Sequence, residues 1–127
     1  MRKLLLAALV TCTAIVPPIL MSHDSRPERE NDRIRYLLDA VLASKATFIR
    51  NDEEYTAYEA TKHLERKLDV IGGKIQTAEQ FIEHIAAKSS MSGQAYLIRL
   101  PDGKTELAAR WLASRLREYT APTTVTP

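Results

Sequence analysis

The residues of this chain best suited to chemistry are Tyr55, Glu59 and His63, which recur at intervals of four. If the segment is helical, this spacing places all three on one face, where Glu59 can orient His63 as an acid or a base. The same spacing is common on solvated helix faces, where such a pair contributes only roughly a few tenths of a kcal/mol. We therefore expect no catalytic residues, and a weak hydrolase using Glu59 and His63 is an alternative.

Metal and cofactor chemistry has less support in the sequence. The three histidines, His23, His63 and His84, form neither an H-E-x-x-H motif nor a paired spacing with the single cysteine, Cys12. Such spacings matter because they bring metal ligands together on one helix face or turn. The glycine pair at positions 72–73 follows a helical pattern instead of opening one, so it is not typical of a phosphate loop. We expect neither a metal nor another cofactor.

The first 22 residues have the composition of an export signal. Arg2 and Lys3 precede an apolar stretch from Leu4 to Val16, which is shorter than the roughly 20 residues of a membrane span. We predict a signal peptide over residues 1–22 and an exported protein, located in the periplasm of a Gram-negative bacterium. One alternative is an uncleaved anchor, the only membrane contact that we expect. Another is a lipoprotein acylated at Cys12.

The charges beyond the leader are balanced. All 16 acidic residues and 16 of the 18 basic residues lie beyond position 22, so residues 23–127 carry no formal net charge. Nucleic-acid binding requires a basic stripe or patch, which this pattern lacks. Because the single cysteine lies in the leader, the exported part has no disulfide and its fold depends on packing. We expect no nucleic-acid partner, and instead an unidentified protein or cell-envelope partner.

Beyond the leader, the sequence predicts a mainly α domain. Residues 23–32 are charged and nearly free of apolar side chains, so we expect a disordered tether there. One domain over residues 33–119 and a disordered tail over residues 120–127 follow. Apolar residues at spacings of three and four predict four helices. They run from Asp32 to Ser44, from a cap at Asn51 to Val70, from Ala78 to Lys88, and from Leu107 to Tyr119.

Local signals define the boundaries of these elements. Asn51 and Thr77 each stand three residues before a Glu or Gln, which is the spacing of a helix capping box. The turn signal Pro101-Asp102-Gly103 follows strand-forming residues and predicts one β-hairpin between the third and fourth helices. The expected architecture is a compact four-helix domain with one short β-hairpin and with Trp111 in its core.

The segment from Ser89 to Tyr96 reads SSMSGQAY and connects the third helix to the hairpin. Serines at a helix end are usually turn formers, and these do not lie in a G-x-S-x-G motif. The stretch from Ser92 to Tyr96 fits S-G-x-x-Y and is similar to a loop motif of several periplasmic lysozyme inhibitors, whose serine and tyrosine enter a glycosidase cleft. This similarity implies an alternative function, inhibition of a cell-wall glycosidase.

Four blocks of the chain resemble one family along most of the predicted domain. They are S-x-x-x-F-I-R-N from Ser44, E-A-x-x-H-L-x-x-K from Glu59, F-I-x-x-I-A-x-x-S-S-x-S-G-x-x-Y from Phe81, and W-L-x-x-x-L from Trp111. In this order they are similar to the YfeK-like family of small exported bacterial proteins, a domain of unknown function. The resemblance supports export and the domain boundaries. It implies no activity.

The resemblance also has implications for individual positions. Members of the family often carry cysteines where this chain has Ala46 and Leu100, and a glycine where it has Asp52. If those cysteines pair, Ala46 and Leu100 are neighbours here, with Cα atoms within roughly 7 Å. The shared blocks contain the candidate binding residues Arg50, Asn51, His63, Ser89, Ser90, Ser92 and Tyr96.

We expect most of these candidates to be structural. In this interpretation Arg50 reaches backbone carbonyls and the serines satisfy the end of the third helix. The leading hypothesis is a non-catalytic binding or envelope-support protein.

Overall fold

A computed structural model of the chain describes Ala14 and residues 26–123. The predicted leader, Ala14 apart, and residues 23–25 of the predicted tether lie outside the described residues, as do the last four residues of the tail. Ala14 is exposed and has no regular secondary structure.

Residues 26–123 form four helices and four short strands. The helices are α1 (Glu28–Ala43), α2 (Ala57–Ile71), α3 (Ala78–Phe81) and α4 (Ala108–Glu118). The strands are β1 (Thr47–Arg50), β2 (Glu53–Thr56), β3 (Leu97–Arg99) and β4 (Thr105–Leu107). A 3-10 turn (Gly72–Lys74) follows α2, and α3 continues as a π-helical turn (Ile82–Ala86). No described helix has the length and apolar character needed to cross a bilayer.

The strands form one antiparallel sheet in the order β2-β1-β3-β4. The predicted hairpin around Pro101-Asp102-Gly103 exists as β3 and β4, but it pairs with β1 instead of packing alone against helices. The prediction of a four-helix domain with a single hairpin is therefore wrong. The protein combines four helices with a four-stranded sheet, because a second hairpin precedes α2 and joins the first through β1.

This second hairpin occupies the segment that was predicted to open helix two. Asn51 and Asp52 form its two-residue turn, and both have positive φ, at 50° and 65°. Such a turn matches the right-handed twist of paired strands. The capping box lies further along, where Thr56 and Glu59 bond reciprocally at the start of α2. Asn51 was a plausible cap because the same short polar side chains favour helix caps and left-handed turns.

The α1 helix begins earlier than predicted. It starts at Glu28, so residues 28–32, which we expected in a tether, are helical. Arg26 is also buried and ties this start to the end of α2, donating from Nε to the Ile75 carbonyl at 2.6 Å and from Nη2 to the Gly72 carbonyl at 2.8 Å. A charged segment is thus ordered by hydrogen bonds and not by apolar burial.

The core lies between the sheet and the helices. Phe48 and Ile98 project from the inner face of the sheet, and the fully buried residues of the helices include Leu37, Phe81 and Leu112. Trp111 is 9% exposed, which confirms its predicted place in the core. The predicted cap of the third helix is also confirmed, since Thr77 accepts a hydrogen bond from the backbone of Gln80.

Ala46 and Leu100 lie at matching positions, each one residue beyond the paired strands β1 and β3. The register pairs Thr47 with Arg99, so its extension by one residue puts Ala46 opposite Leu100. Directly opposed residues have Cα atoms about 4.5–5.5 Å apart, a separation that a disulfide can bridge. Ala46 is buried and Leu100 packs against the same core.

Replacement of Ala46 and Leu100 by cysteine, in a background carrying Cys12→Ser, is expected to form a disulfide without distorting the sheet. The cross-link should stabilise the protein by about 2–4 kcal/mol, chiefly by restricting the unfolded chain. Thiol titration and thermal unfolding measure this, with the same protein after reduction as the control. Two free thiols persisting under oxidising conditions would contradict the pairing.

The Asp52→Gly substitution is expected to stabilise the protein by up to about 1 kcal/mol, because glycine adopts positive φ without strain. The measurement is the midpoint of urea unfolding. Asp102→Gly is the matched control: Asp102 lies in the other hairpin turn without a positive φ and accepts a hydrogen bond from the Lys104 backbone. An unchanged or lower midpoint for Asp52→Gly would show that the turn is unstrained.

Candidate functional site

A cleft opens between α2 and the inner face of the sheet, and we call it the α2 cleft. Its volume is about 530 Å³, which is typical of small-molecule sites. Its apolar lining, the apolar floor, consists of Phe48, Ile49, Ala60, Leu64, Ala86, Ala108 and Leu112. Its remaining lining includes Arg50, Tyr55, Tyr58, Glu59, Lys62, His63, Arg66 and Tyr96.

Strand register brings Arg50 and Tyr96 together. Phe48 pairs with Ile98, and both are buried against the helices. Because side chains alternate along a strand, Arg50 lies on the same face two residues after Phe48, and Tyr96 lies there two residues before Ile98. The antiparallel register ends with Ile49 paired to Leu97, and its extension by one residue places these two polar residues opposite each other. Tyr55, which pairs with Phe48 from β2, shares the face.

Helix α2 adds His63 to this group. The helix buries Ala60 and Leu64, so the adjacent His63 points along the edge of the cleft. Nη1 of Arg50 lies 3.0 Å from Nδ1 and 3.1 Å from Nε2 of the His63 ring. Being nearly equidistant from both nitrogens, Nη1 lies over the ring and not along one lone pair. The other terminal nitrogen, Nη2, makes a long 3.5 Å contact with the Tyr55 hydroxyl.

Lys67 completes the polar group from the next turn of α2. Its Nζ donates to the backbone carbonyls of Ile85 at 2.7 Å and Lys88 at 3.2 Å, and to the Tyr96 hydroxyl at 3.4 Å. These contacts use all three hydrogens of the ammonium group. Lys67 therefore satisfies carbonyls at the end of the third helix, the role that we expected of the serines and of Arg50. We call Arg50, His63, Lys67 and Tyr96 the polar corner.

The polar corner contains more donors than acceptors. The Tyr96 hydroxyl lies 3.1 Å from Nε2 of His63. If the Tyr96 hydroxyl donates to Nε2, neutral His63 carries its proton on Nδ1, and that proton has no acceptor among the described residues. If Nε2 donates to Tyr96 instead, the hydroxyl proton of Tyr96 has no acceptor among them. Arg50 and Lys67 only donate. Nε of Arg50 is buried and also lacks a partner within the described chain.

The charges of the corner keep His63 neutral near pH 7. Burial lowers the pKa of His63 to about 4, helped by the positive charges of Arg50, Lys67 and Arg66. Burial, followed by the charge of Arg50, lowers the pKa of Lys67, while burial raises the pKa of Tyr96. No described carboxylate forms an ion pair with Arg50.

Glu59 does not orient His63, although both residues line the cleft. The Glu59 carboxylate accepts hydrogen bonds from the Thr56 backbone at 2.8 Å and from the Thr56 hydroxyl at 3.1 Å. Tyr55, expected on the same helix face, lies in β2 and donates to Glu53. The geometry thus lacks the carboxylate–histidine pair on which the hydrolase alternative depends.

The other candidate residues form a second, adjacent cluster. The Ser92 hydroxyl donates to Asn51 at 2.5 Å, and the Asn51 amide lies 3.5 Å from the Ser89 hydroxyl. These bonds join the β1–β2 turn to the loop after α3, while Ser90 is exposed. Tyr96 is only 7% exposed and faces the cleft, so it does not project from this loop as the inhibitor alternative requires.

The sequence interpretation missed the role of Lys67. The structure places this lysine, half-buried, between the third helix and Tyr96. The signal was present in E-A-x-x-H-L-x-x-K, because residues 63 and 67 are spaced by one helical turn. The residues that His63 and Lys67 contact depend on the sheet, which the sequence interpretation did not predict.

Comparison with known proteins identifies relatives without a known role. The family described as "Family of unknown function (DUF5329)" matches residues 28–120. The "Uncharacterized protein YfeK" of Salmonella typhimurium is 41% identical over 68 residues, which span 53% of this chain and 57% of that protein. These matches confirm the predicted resemblance. No solved structure matches, and the described residues contain no group of three His, Cys, Asp or Glu side chains that could hold a metal ion.

Acidification is expected to destabilise the protein through His63. Its pKa of about 4 in the folded state lies below the usual 6.5, so the unfolded chain binds more protons between these values. The free energy of unfolding should therefore fall as the pH drops from 6.5 to 4. His63→Gln should reduce this slope, as measured by urea unfolding at a series of pH values.

His84→Gln is the control for this measurement, because His84 lies exposed on the π-helical turn, outside the polar corner. It should leave the slope unchanged. Equal slopes for the wild-type and His63→Gln proteins would contradict the buried, neutral state of His63.

Proposed function

The chain belongs to DUF5329, a family of unknown function, and we propose that it is an exported, non-catalytic binding protein whose α2 cleft takes an amphipathic organic anion. The ligand places an anionic group at the polar corner and an apolar body against the apolar floor. Export is supported by the leader pattern, in which Arg2 and Lys3 precede an apolar stretch.

The observation that carries the proposal is the excess of donors in the polar corner. Whichever of His63 and Tyr96 donates to the other, one hydrogen remains without an acceptor in the described chain. Unsatisfied polar groups that lose contact with water are costly, roughly 1–3 kcal/mol each. A ligand oxygen at this point accepts the free hydrogen and thereby recovers that cost.

The charge of Arg50 favours an anionic ligand over a neutral one. Its guanidinium contacts the neutral rings of His63 and Tyr55 and no described carboxylate. Arg66 and Lys62 add positive charge to the lining, although Lys62 is also paired with Glu65. Hydrogen bonds to a charged partner in a partly buried site contribute more than neutral ones.

The geometry favours binding over catalysis. A general base acts best when its pKa lies near the operating pH, and that of His63 is lowered to about 4. Its neighbours are cations and Tyr96, because Glu59 is bonded to Thr56. The hydroxyl of Ser92 is bonded to Asn51, in the adjacent cluster, and does not reach His63.

Two fluorescent probes that differ by one charged group test this proposal. 8-Anilino-1-naphthalenesulfonate is an amphipathic anion, and N-phenyl-1-naphthylamine has a similar aromatic body without the sulfonate. We expect the anion to bind the wild-type protein more tightly. Arg50→Gln should weaken anion binding about 10- to 100-fold, since a charged hydrogen bond contributes about 1.5–3 kcal/mol, and should leave the neutral probe unaffected.

Arg99→Gln is the matched control, because Arg99 lies on the neighbouring strand β3 but pairs with Glu54 and does not line the cleft. It should leave both titrations unchanged. Circular dichroism and urea unfolding establish that the variants are folded. Equal affinity of the wild-type protein for the two probes, or anion binding unaffected by Arg50→Gln, would refute the proposal.

A further inference from the structure

The polar corner distinguishes between anionic groups by the donors that remain free. Lys67 has none left, because Ile85, Lys88 and Tyr96 accept its three hydrogens. Among the described residues, the free donors are Nε and the weakly bonded Nη2 of Arg50, together with one hydrogen of the His63–Tyr96 pair. Building on the proposed function, we propose that the ligand's anionic group is a carboxylate and that its apolar body is compact.

The number and arrangement of these donors fit a carboxylate. A planar carboxylate offers two oxygens, which match the fork of one guanidinium together with one neutral donor. A phosphate offers three oxygens, and phosphate sites commonly add backbone N–H groups at a helix N-terminus. The N-terminus of α2, on the wall of this cleft, is already occupied by the carboxylate of Glu59 through its bonds with Thr56.

The charges around the cleft also favour a single negative charge. His63 is neutral near pH 7, so within the polar corner Arg50 is the cation whose donors are free to meet the ligand. The Glu59 carboxylate lines the same cleft and repels a dianion more strongly than a monoanion. Lys62, also in the lining, directs its ammonium to Glu65 at 2.9 Å.

The apolar floor favours a compact body over a long chain. Phe48, Ala60 and Leu64 are between 5% and 9% exposed, and Leu112 only 1%. Hydrophobic stabilisation is proportional to the apolar area removed from water, and this floor exposes so little area that a compact body already covers it. Tyr58, 61% exposed at the cleft, offers an aromatic surface to a ring. The class of ligand is thus a small monocarboxylate with an aromatic or short aliphatic body.

Naphthalene derivatives with a common body and different head groups test this assignment by isothermal titration calorimetry at pH 7.5. The probes are 2-naphthoate, 2-naphthyl phosphate and 2-naphthol, with hexadecanoate as a long-chain carboxylate. We expect 2-naphthoate to bind at least about tenfold more tightly than the other two naphthalenes. The affinity for hexadecanoate should exceed that for 2-naphthoate by less than about tenfold.

The Arg50→Lys substitution tests the paired N–H donors of the guanidinium separately from its positive charge. Lysine keeps the positive charge but cannot form two parallel hydrogen bonds to a carboxylate, so 2-naphthoate binding should fall at least about tenfold. Arg99→Lys is the matched control and should bind like the wild-type protein. Unchanged 2-naphthoate binding by Arg50→Lys would refute carboxylate recognition by the fork, while charge recognition stays intact.

The remaining outcomes separate this inference from the proposed function. Equal or tighter binding of 2-naphthyl phosphate overturns the carboxylate assignment and leaves an anion-binding cleft. An affinity for hexadecanoate more than about tenfold higher than that for 2-naphthoate overturns the assignment of a compact apolar body. Equal binding of 2-naphthol, in contrast, removes the anionic requirement and refutes the proposed function together with this inference.

Discussion

The pairing of β1 with β3 connects the two halves of the chain, and both the sheet and the α2 cleft depend on it. Each hairpin alone is a two-stranded unit of marginal stability. Joined through Phe48 and Ile98, they form a four-stranded sheet with one face buried under the helices. The same register places Arg50 opposite Tyr96, so the polar corner is a consequence of strand pairing.

The polar corner combines groups whose mutual repulsion must be offset. Arg50 and Lys67 are both cations, and His63 avoids adding a third charge because burial and these neighbours lower its pKa. Lys67 is offset by backbone carbonyls at the end of the third helix. Arg50 has no comparable acceptor among the described residues. This difference separates a lysine that is bonded within the fold from an arginine that retains free donors.

Local patterns predicted the third and fourth helices and the β3–β4 hairpin, and they failed at the β1–β2 hairpin. Its strands have four residues each, too few to show a clear alternation, and its turn uses residue types that also cap helices. Because of this error, the predicted second helix began too early and included Tyr55, which lies in β2. Arg50, His63 and Tyr96 were found as candidates through shared blocks, without any indication that they meet.

The sequence by itself determined the periodic helices, the buried position of Trp111, the turn at Pro101-Asp102-Gly103 and the family. These features arise from interactions between residues near one another in the chain, or from apolar patterns that any packed domain must bury. The tertiary structure decided which strands pair, in which register, and hence which polar side chains share a cleft. That choice depends on contacts between residues about fifty positions apart, such as Phe48 and Ile98, and no local spacing encodes them.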